Sequence, residues 1–258
     1  MIKLINNLVQ HRELLYNLTM RDIKSRYAQS FLGIAWAVIQ PVSLVLTFTV
    51  LGKLVSIPTD GLPRPVFNYA GVLLWSFFSS GLNAAISSIV SNANLVRKIY
   101  FPREIFPTSA ILASLFDMVI STLIFAGFMV VYKVPFTWAL LLTPLLLVVQ
   151  IAFMLSIALV GAGLNVYLRD IRTALPLVFQ LWMFASPVFY PASQVPDKWK
   201  TLYYLNPMTP IIESFRSLVK GKAPDFASLA ILLVVAVALL FVSYLIFKRL
   251  ERKFADVI

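Results

Sequence analysis

Polar and apolar positions along this chain separate into long blocks. Six apolar blocks run over Phe31–Gly52, Phe67–Val90, Phe106–Val131, Trp138–Val166, Ala174–Tyr190 and Leu229–Phe247. A helix rises about 1.5 Å per residue and a hydrocarbon core is about 30 Å thick, so about 20 apolar residues cross it. Each block is read as a membrane-spanning helix. Asp117, in the third, is the one acid or base that the six contain.

Before the first block, Met1–Tyr27 places Leu4, Leu8, Leu15 and Leu18 on one stripe at 3.6 residues per turn, with Glu13 and Lys24 on the far side. This predicts an amphipathic helix in the headgroup layer, as an anchor or as a collar for a cytoplasmic partner. Its charges continue through Arg26, unlike those of a signal peptide. Between the fifth and sixth blocks the chain is too polar to span and too aromatic for a free loop. There Pro196–Tyr204 reads as one short helix and Asn206-Pro207 as a break. A second helix follows, with Thr209 as N-cap, Pro210 at the first position and Gly221 past the end. Irregular backbone at membrane depth must be buried in protein or line a cavity, so these short helices are read as re-entrant or interfacial elements of an outer gate. Pro191, Trp199, Asn206, Pro207 and Arg216 are its candidate residues.

The expected fold is therefore all-α integral membrane, with six transmembrane helices, an N-terminal amphipathic interface helix and short gate helices between helices five and six. Residues 1–258 form one transmembrane domain, with the interface helix at 1–27, helices one to five at 31–190, the gate segment at 191–225 and helix six at 229–247.

Composition agrees: 60% of residues are hydrophobic, 13% are charged and the mean hydropathy is +0.85, which leaves little chain for an aqueous domain. The absence of cysteine and the single histidine, His11, exclude disulfide, thiolate-metal and multi-histidine metal sites. The net charge of +11 raises nucleic acid, but the placement of the charges decides otherwise. An even number of spans puts both termini on one side, and with those termini in the cytoplasm most of the 22 Lys and Arg residues lie inside. The charge thus reports topology. The exception is a basic cluster from Lys198 to Lys222 on the outer side.

Several polar positions interrupt the spans. Gln40-Pro41 lies mid-helix, where proline removes a hydrogen bond and kinks the axis. Asn83, Ser87, Ser88 and Ser91 must pack against other helices or line a wet cavity. Asp117 sits about 15 Å deep and must face the interior, as a protonated, paired or hydrogen-bonded group. Gly161-Ala162-Gly163 matches part of a dinucleotide fingerprint, but inside an apolar helix it reads as close helix packing. The chain has no Gly-x-x-x-x-Gly-Lys-Ser/Thr phosphate loop and no Ser/His/Asp set, and Asp60, Asp117, Asp197, Glu213 and Asp225 are scattered. No catalytic residue and no metal site is assigned. Such a chain transports or scaffolds, with energy supplied from elsewhere.

The interval Asn92–Pro107 is the expected coupling element. Asn92 or Asn94 would cap a short helix and Pro102 would end it. Asn92, Leu95, Arg97, Lys98, Tyr100, Phe101, Arg103 and Glu104 mix bases with aromatics suited to a partner surface.

These segments in order resemble the permease subunits of ATP-binding-cassette polysaccharide exporters, the O-antigen, teichoic acid and capsule export family. The resemblance rests on Arg26-Tyr27, Leu32-Gly33-Ile34-Ala35-Trp36-Ala37, Gln40-Pro41 and the Asn92–Pro107 loop. It continues through Leu164-Asn165-Val166-Tyr167-Leu168-Arg169-Asp170-Ile171, Ser186-Pro187-Val188-Phe189-Tyr190 and Tyr204-Leu205-Asn206-Pro207-Met208-Thr209-Pro210. It implies a homodimer in the bacterial cytoplasmic membrane, with two ATPase subunits beneath that hold ATP and Mg²⁺, none being bound by this chain. It also implies that the N-terminal helix and the loop between spans two and three contact those subunits. The implied cargo is a polyprenyl-diphosphate-linked glycan, with membrane lipids around it and no nucleic acid. A channel at the dimer axis would carry aromatic rings, for which Trp75, Phe77, Phe78, Trp182, Phe184, Phe189 and Tyr190 are candidates. Arg26, Arg169 and Arg172 are candidates to meet the anionic lipid headgroup. Two other readings remain open at this point: an exporter permease for a small drug or lipid, and a proton-coupled carrier using Asp117.

Overall fold

The second apolar block becomes the axis of the bundle. The computed structural model describes residues 2–28, 35–98, 101–168 and 170–254. Tyr100, Arg169 and the start of the first block at 31–34 lie outside the described residues. The helices are α1 (Ile2–Gln10), α2 (Arg12–Tyr27), α3 (Ala35–Leu54), α4 (Arg64–Ser91), α5 (Ala93–Lys98), α6 (Ile105–Val131), α7 (Thr143–Tyr167), α8 (Asp170–Phe184), α9 (Asp197–Tyr204), α10 (Met208–Val219) and α11 (Phe226–Leu250). No strand occurs among the described residues.

By length and composition, four stretches can cross a membrane: Arg64–Ser91, Ile105–Val131, Trp138–Tyr167 and Phe226–Lys253. Val38–Leu54 is a shorter apolar helix. The fifth predicted block departs from expectation. Its helix, α8, starts earlier and stops at Phe184 after 15 residues, about 22 Å of rise. The reason is local. Pro187 has no N–H and disfavours helical backbone at Ser186, so the chain closes into short turns, with Val188 N donating to Ser186 O at 2.7 Å.

α4 packs against α3, α6, α7, α8 and α10, and residues from Val66 to Ile89 are mostly buried. Its polar residues Ser76, Ser80, Asn83 and Ser87 recur at i, i+4, i+7 and i+11, which places them on one stripe. That stripe stays open while the apolar faces are covered. Side-chain amides dock α7 on α4: Gln150 Nε2 donates to Leu74 O at 2.8 Å and Asn165 Nδ2 to Ile86 O at 3.2 Å. The glycine pair of α7 is close packing, as its sequence setting predicted. A Cβ at Gly161 would stand 2.7 Å from Ile86 Cγ1, and one at Gly163 2.9 Å from Leu250 Cδ1.

At the end that carries both termini, α1 and α2 replace the single predicted helix, with the break at His11. The leucine stripe turns inward: Leu4 and Leu18 are buried among Ile89, Val96, Phe106 and Phe247, with Leu8 and Leu15 packed beside them. Glu104 is fully buried there. Its carboxylate accepts from Asn7 Nδ2 at 2.8 Å and from Lys248 Nζ at 2.8 Å. Lys248 also reaches Glu251 Oε2 at 2.7 Å, and Glu251 Oε1 lies 3.5 Å from Arg103 Nη1. A buried charge persists only when paired, and here two remote segments, around Asn7 and Lys248, supply the partners.

Glu104→Ala would strand the Asn7 amide and one bond of Lys248, at a cost of about 1–3 kcal/mol. The purified protein should unfold at lower temperature in detergent. Glu104→Gln should lose less, and Arg97→Ala, on an exposed side chain, should leave the midpoint unchanged.

Candidate functional site

The polar stripe of α4 opens onto a groove of about 730 Å³ bounded by α3, α4, α6 and α8. α3 contributes Trp36, Gln40 and Ser43, and α8 contributes Phe179 and Gln180. Asp117 lines the groove from α6. Of the states left open for this half-buried acid, the structure shows it paired. Arg26 Nη1 and the Tyr27 hydroxyl donate to its two oxygens, and Arg26 Nη2 donates to Ser114 Oγ at 3.1 Å. Burial, and then the Asp117 carboxylate, push the Tyr27 phenol well above its usual range, so the hydroxyl remains a donor. The last turn of α2 is thereby fastened to the groove wall.

The predicted aromatics fall into separate groups: Trp75, Phe78 and Trp182 meet one another, Phe184 and Phe189 both meet Phe48, and Tyr190 meets Tyr203. Phe78 is fully buried, between Trp182 at 5.1 Å, Phe179 at 6.0 Å and Phe153 at 6.1 Å, centroid to centroid. Trp75 stands 6.3 Å from Trp182 and also lines the groove. Phe77 is buried in the core. Phe189 is buried and stacks on Phe48 at 3.4 Å. Tyr190 meets Tyr203 at 6.1 Å, and Phe184 is the most open of the seven, 49% exposed. Aromatic pairs at such separations add to the burial of each ring.

At the opposite end from the termini, Asn206 joins the predicted gate to the predicted aromatics. Its Oδ1 accepts from Trp182 Nε1 at 3.0 Å and from Met208 N at 3.1 Å. Its Nδ2 donates to Ala185 O at 3.0 Å and Ser186 Oγ at 2.8 Å. Asn206 thus precedes the N-cap, Pro207, and bonds the first N–H of α10, which Thr209 was expected to cap. Thr209 lies inside that helix, its hydroxyl donating to Tyr203 O at 3.0 Å, because the helix starts at Met208 behind Pro207. Gly221 ends α10 as predicted, at φ +72°, with Lys222 N bonded to Ser217 O and Gly221 N to Leu218 O.

Arg216 is 1% exposed. It donates to Val188 O at 2.7 Å, Phe67 O at 3.3 Å and Glu213 Oε1 at 3.0 Å, and lies 3.5 Å over the Phe67 ring. Burial lowers its pKa to about 10, so it is charged at neutral pH. Gly71 faces the same carbonyl: an added Cβ would collide with Val188 O. Pro191 is buried, Pro207 half-buried and Trp199 exposed.

The coupling interval divides in two. Arg97 and Lys98 are exposed on α5, and Leu95 is half-buried. Phe101 and Glu104 are buried and Arg103 is largely covered, so these three knit the bundle rather than face outward. Asn92 closes α4, with Nδ2 donating to Ser88 O at 2.7 Å. Among the inner-interface bases, Arg26 is held by Asp117 and Arg172 is exposed near the start of α8. Ser76, Ser80 and Gln180 were not singled out from the sequence, and Gln40 was named only with the kinking Pro41. The signal for the α4 serines was their i, i+4 spacing in register with Asn83. Among the described residues no three His, Asp or Glu side chains converge on one point.

Long apolar helices packed round a polar groove define a multi-pass membrane protein of the transport-permease class. The chain belongs to the ABC-2 type transporter family, whose profile matches residues 13–219, as the sequence resemblance implied. It is 32% identical to O-antigen export system permease protein RfbA of Myxococcus xanthus over 260 residues, 99% of each chain. It is 26% identical to the Klebsiella pneumoniae protein of that name, over 100% of this chain and 99% of the relative. Polysialic acid transport protein KpsM of Escherichia coli is 22% identical, over 91% of this chain and 92% of the relative.

Two measurements check the geometry. A double-mutant cycle of Arg26→Gln and Asp117→Asn should give a coupling energy of about 1–3 kcal/mol by thermal unfolding; additivity would show that the pair does not hold α2 to α6. Gly71→Ala, against a carbonyl that cannot turn aside, should destabilise by about 1–3 kcal/mol, whereas Gly127→Ala, with open space around it, should not.

Proposed function

We propose that this chain is the membrane-spanning permease of a polysaccharide exporter, translocating a polyprenyl-diphosphate-linked glycan across the bacterial cytoplasmic membrane. It works as a homodimer with two ATP-binding-cassette subunits, which supply the ATP and Mg²⁺ chemistry. Both termini are cytoplasmic, α3 and α8 complete six crossings, and α9 and α10 form the outer gate. The observation that carries this reading is the polar stripe of α4, kept open to a groove within an otherwise apolar bundle. A protein that only anchored or scaffolded would have no use for a wet wall at membrane depth. The relatives, matched over nearly their whole length, are named for the export or transport of glycans.

Energy enters from a partner because the chain has no phosphate loop. The exposed bases of α5 and the outward faces of α1 and α2 are the docking surface. The Asn7–Glu104–Lys248 knot behind them turns a push on that surface into movement of α6 and α11 together. Proton coupling through Asp117 is disfavoured, since each proton cycle would have to break both the Arg26 and the Tyr27 bonds.

Deleting the gene should leave glycan inside the cell, and the wild-type gene should restore its export. Arg97→Glu with Lys98→Glu should lower export at least about tenfold, equivalent to about 1.4 kcal/mol of coupling, with unchanged amounts of protein in the membrane. Normal export in that double mutant would remove α5 from the contact. Uphill transport by the purified chain alone would refute the reading.

A further inference from the structure

We propose that the groove is a binding site selective for neutral, hydroxyl-rich sugar chains over acidic ones, with Gln40, Asn83 and Gln180 as its recognition residues. This deepens the exporter reading and rests on it for the identity of the cargo, though not for the presence of the site. The groove's volume of about 730 Å³ falls in the range of roughly 300–1,000 Å³ typical of ligand sites.

The amides of this chain fall into two groups. Those set between helices are spent on the protein: Gln150 on Leu74 O, Asn165 on Ile86 O, and Asn206 on Trp182, Ala185 and Ser186. Gln40, Asn83 and Gln180 come from three different helices, line the groove, and make no hydrogen bond to another described residue. A carboxamide presents donors and an acceptor together, as a sugar hydroxyl does, and at membrane depth it cannot face lipid cheaply. The indole of Trp36, 48% exposed, stands on the same wall and offers a flat apolar face to the C–H side of a pyranose ring.

Charge sets the selectivity. Asp117 is the one charged side chain among the groove-lining residues, and Arg26 already balances it. Among the described lining residues no cation is left to compensate a carboxylate on the cargo, which would be desolvated there without a partner.

The chain contains no cysteine, so Ser80→Cys provides a single thiol on the exposed stripe of α4. The full chain in lipid nanodiscs would be labelled with N-ethylmaleimide alone, with maltohexaose, with oligogalacturonate of equal length, or with dodecylphosphocholine. Maltohexaose should slow labelling at least about threefold, in proportion to occupancy, and oligogalacturonate should slow it less. Asn83→Leu and Gln180→Leu should each abolish the protection, while Asn83→Gln, which keeps the carboxamide, should retain it. Sugar-free labelling rates shared by all variants would show that the fold survives. Equal labelling with and without maltohexaose overturns the proposal, as does equal protection by oligogalacturonate or dodecylphosphocholine. Protection that survives both leucine variants overturns it too, as does a thiol that never labels, which would mean a second copy fills the groove. Failure of the exporter reading would show separately, in the cellular deletion experiment, which does not depend on the thiol.

Discussion

A polar group in hydrocarbon has to find a partner, and this constraint organises the molecule. Buried hydroxyls such as those of Ser88, Thr108, Ser109 and Ser156 bond their own helix, while buried amides and charged groups join one element to another. Gln150 and Asn165 hold α7 to α4 through main-chain oxygens. Asp117 draws the last turn of α2 against α6. Arg216 gathers Val188, Phe67 and Glu213 round one guanidinium. Where lipid tails are as apolar as leucine, such bonds and close glycine packing set the helix arrangement that a hydrophobic core would set in water. Once they are made, the stripe from Ser76 to Ser87 is the polar surface left over, and the groove forms along it.

The same economy separates rigid from exposed parts. Near both termini the acid of Glu104 is surrounded by Asn7, Lys248 and, one residue removed, Glu251. At the far end Asn206 ties the turn after α8 to the start of α10 through four bonds. Between these knots α3 and α8 rest against α4 with large exposed faces, including Leu46, Val50, Leu177 and Leu181. Helices free along one flank suit a wall that meets another surface there.

The long helices were legible because their signal is local. Twenty apolar residues in a row can do little else, and α4, α6, α7 and α11 begin and end within a few residues of the expected limits. Gly221 was legible for the same reason, since a helix end in left-handed backbone asks for glycine. Glu104 was read as part of a partner surface because its neighbours in sequence are bases and aromatics. Its bonded neighbours are Asn7 and Lys248, which no local pattern can disclose. Thr209 failed as a cap because the helix starts one residue before it, at Met208, whose N–H Asn206 accepts from. The fifth span was overestimated because apolar composition continued past Pro187 while helical backbone did not.

The Glu104 knot has a temporal side. Its acceptor is synthesised early, between an amide at position 7 and an ammonium at position 248. A chain that emerges from its amino terminus must carry this carboxylate half-matched through the insertion of every later helix. Only when the last one arrives does the acid lose its excess charge. The docking of α11 is thus tied to a single electrostatic event, and a polypeptide cut short before residue 248 would hold a buried acid with an amide for company and no counter-charge.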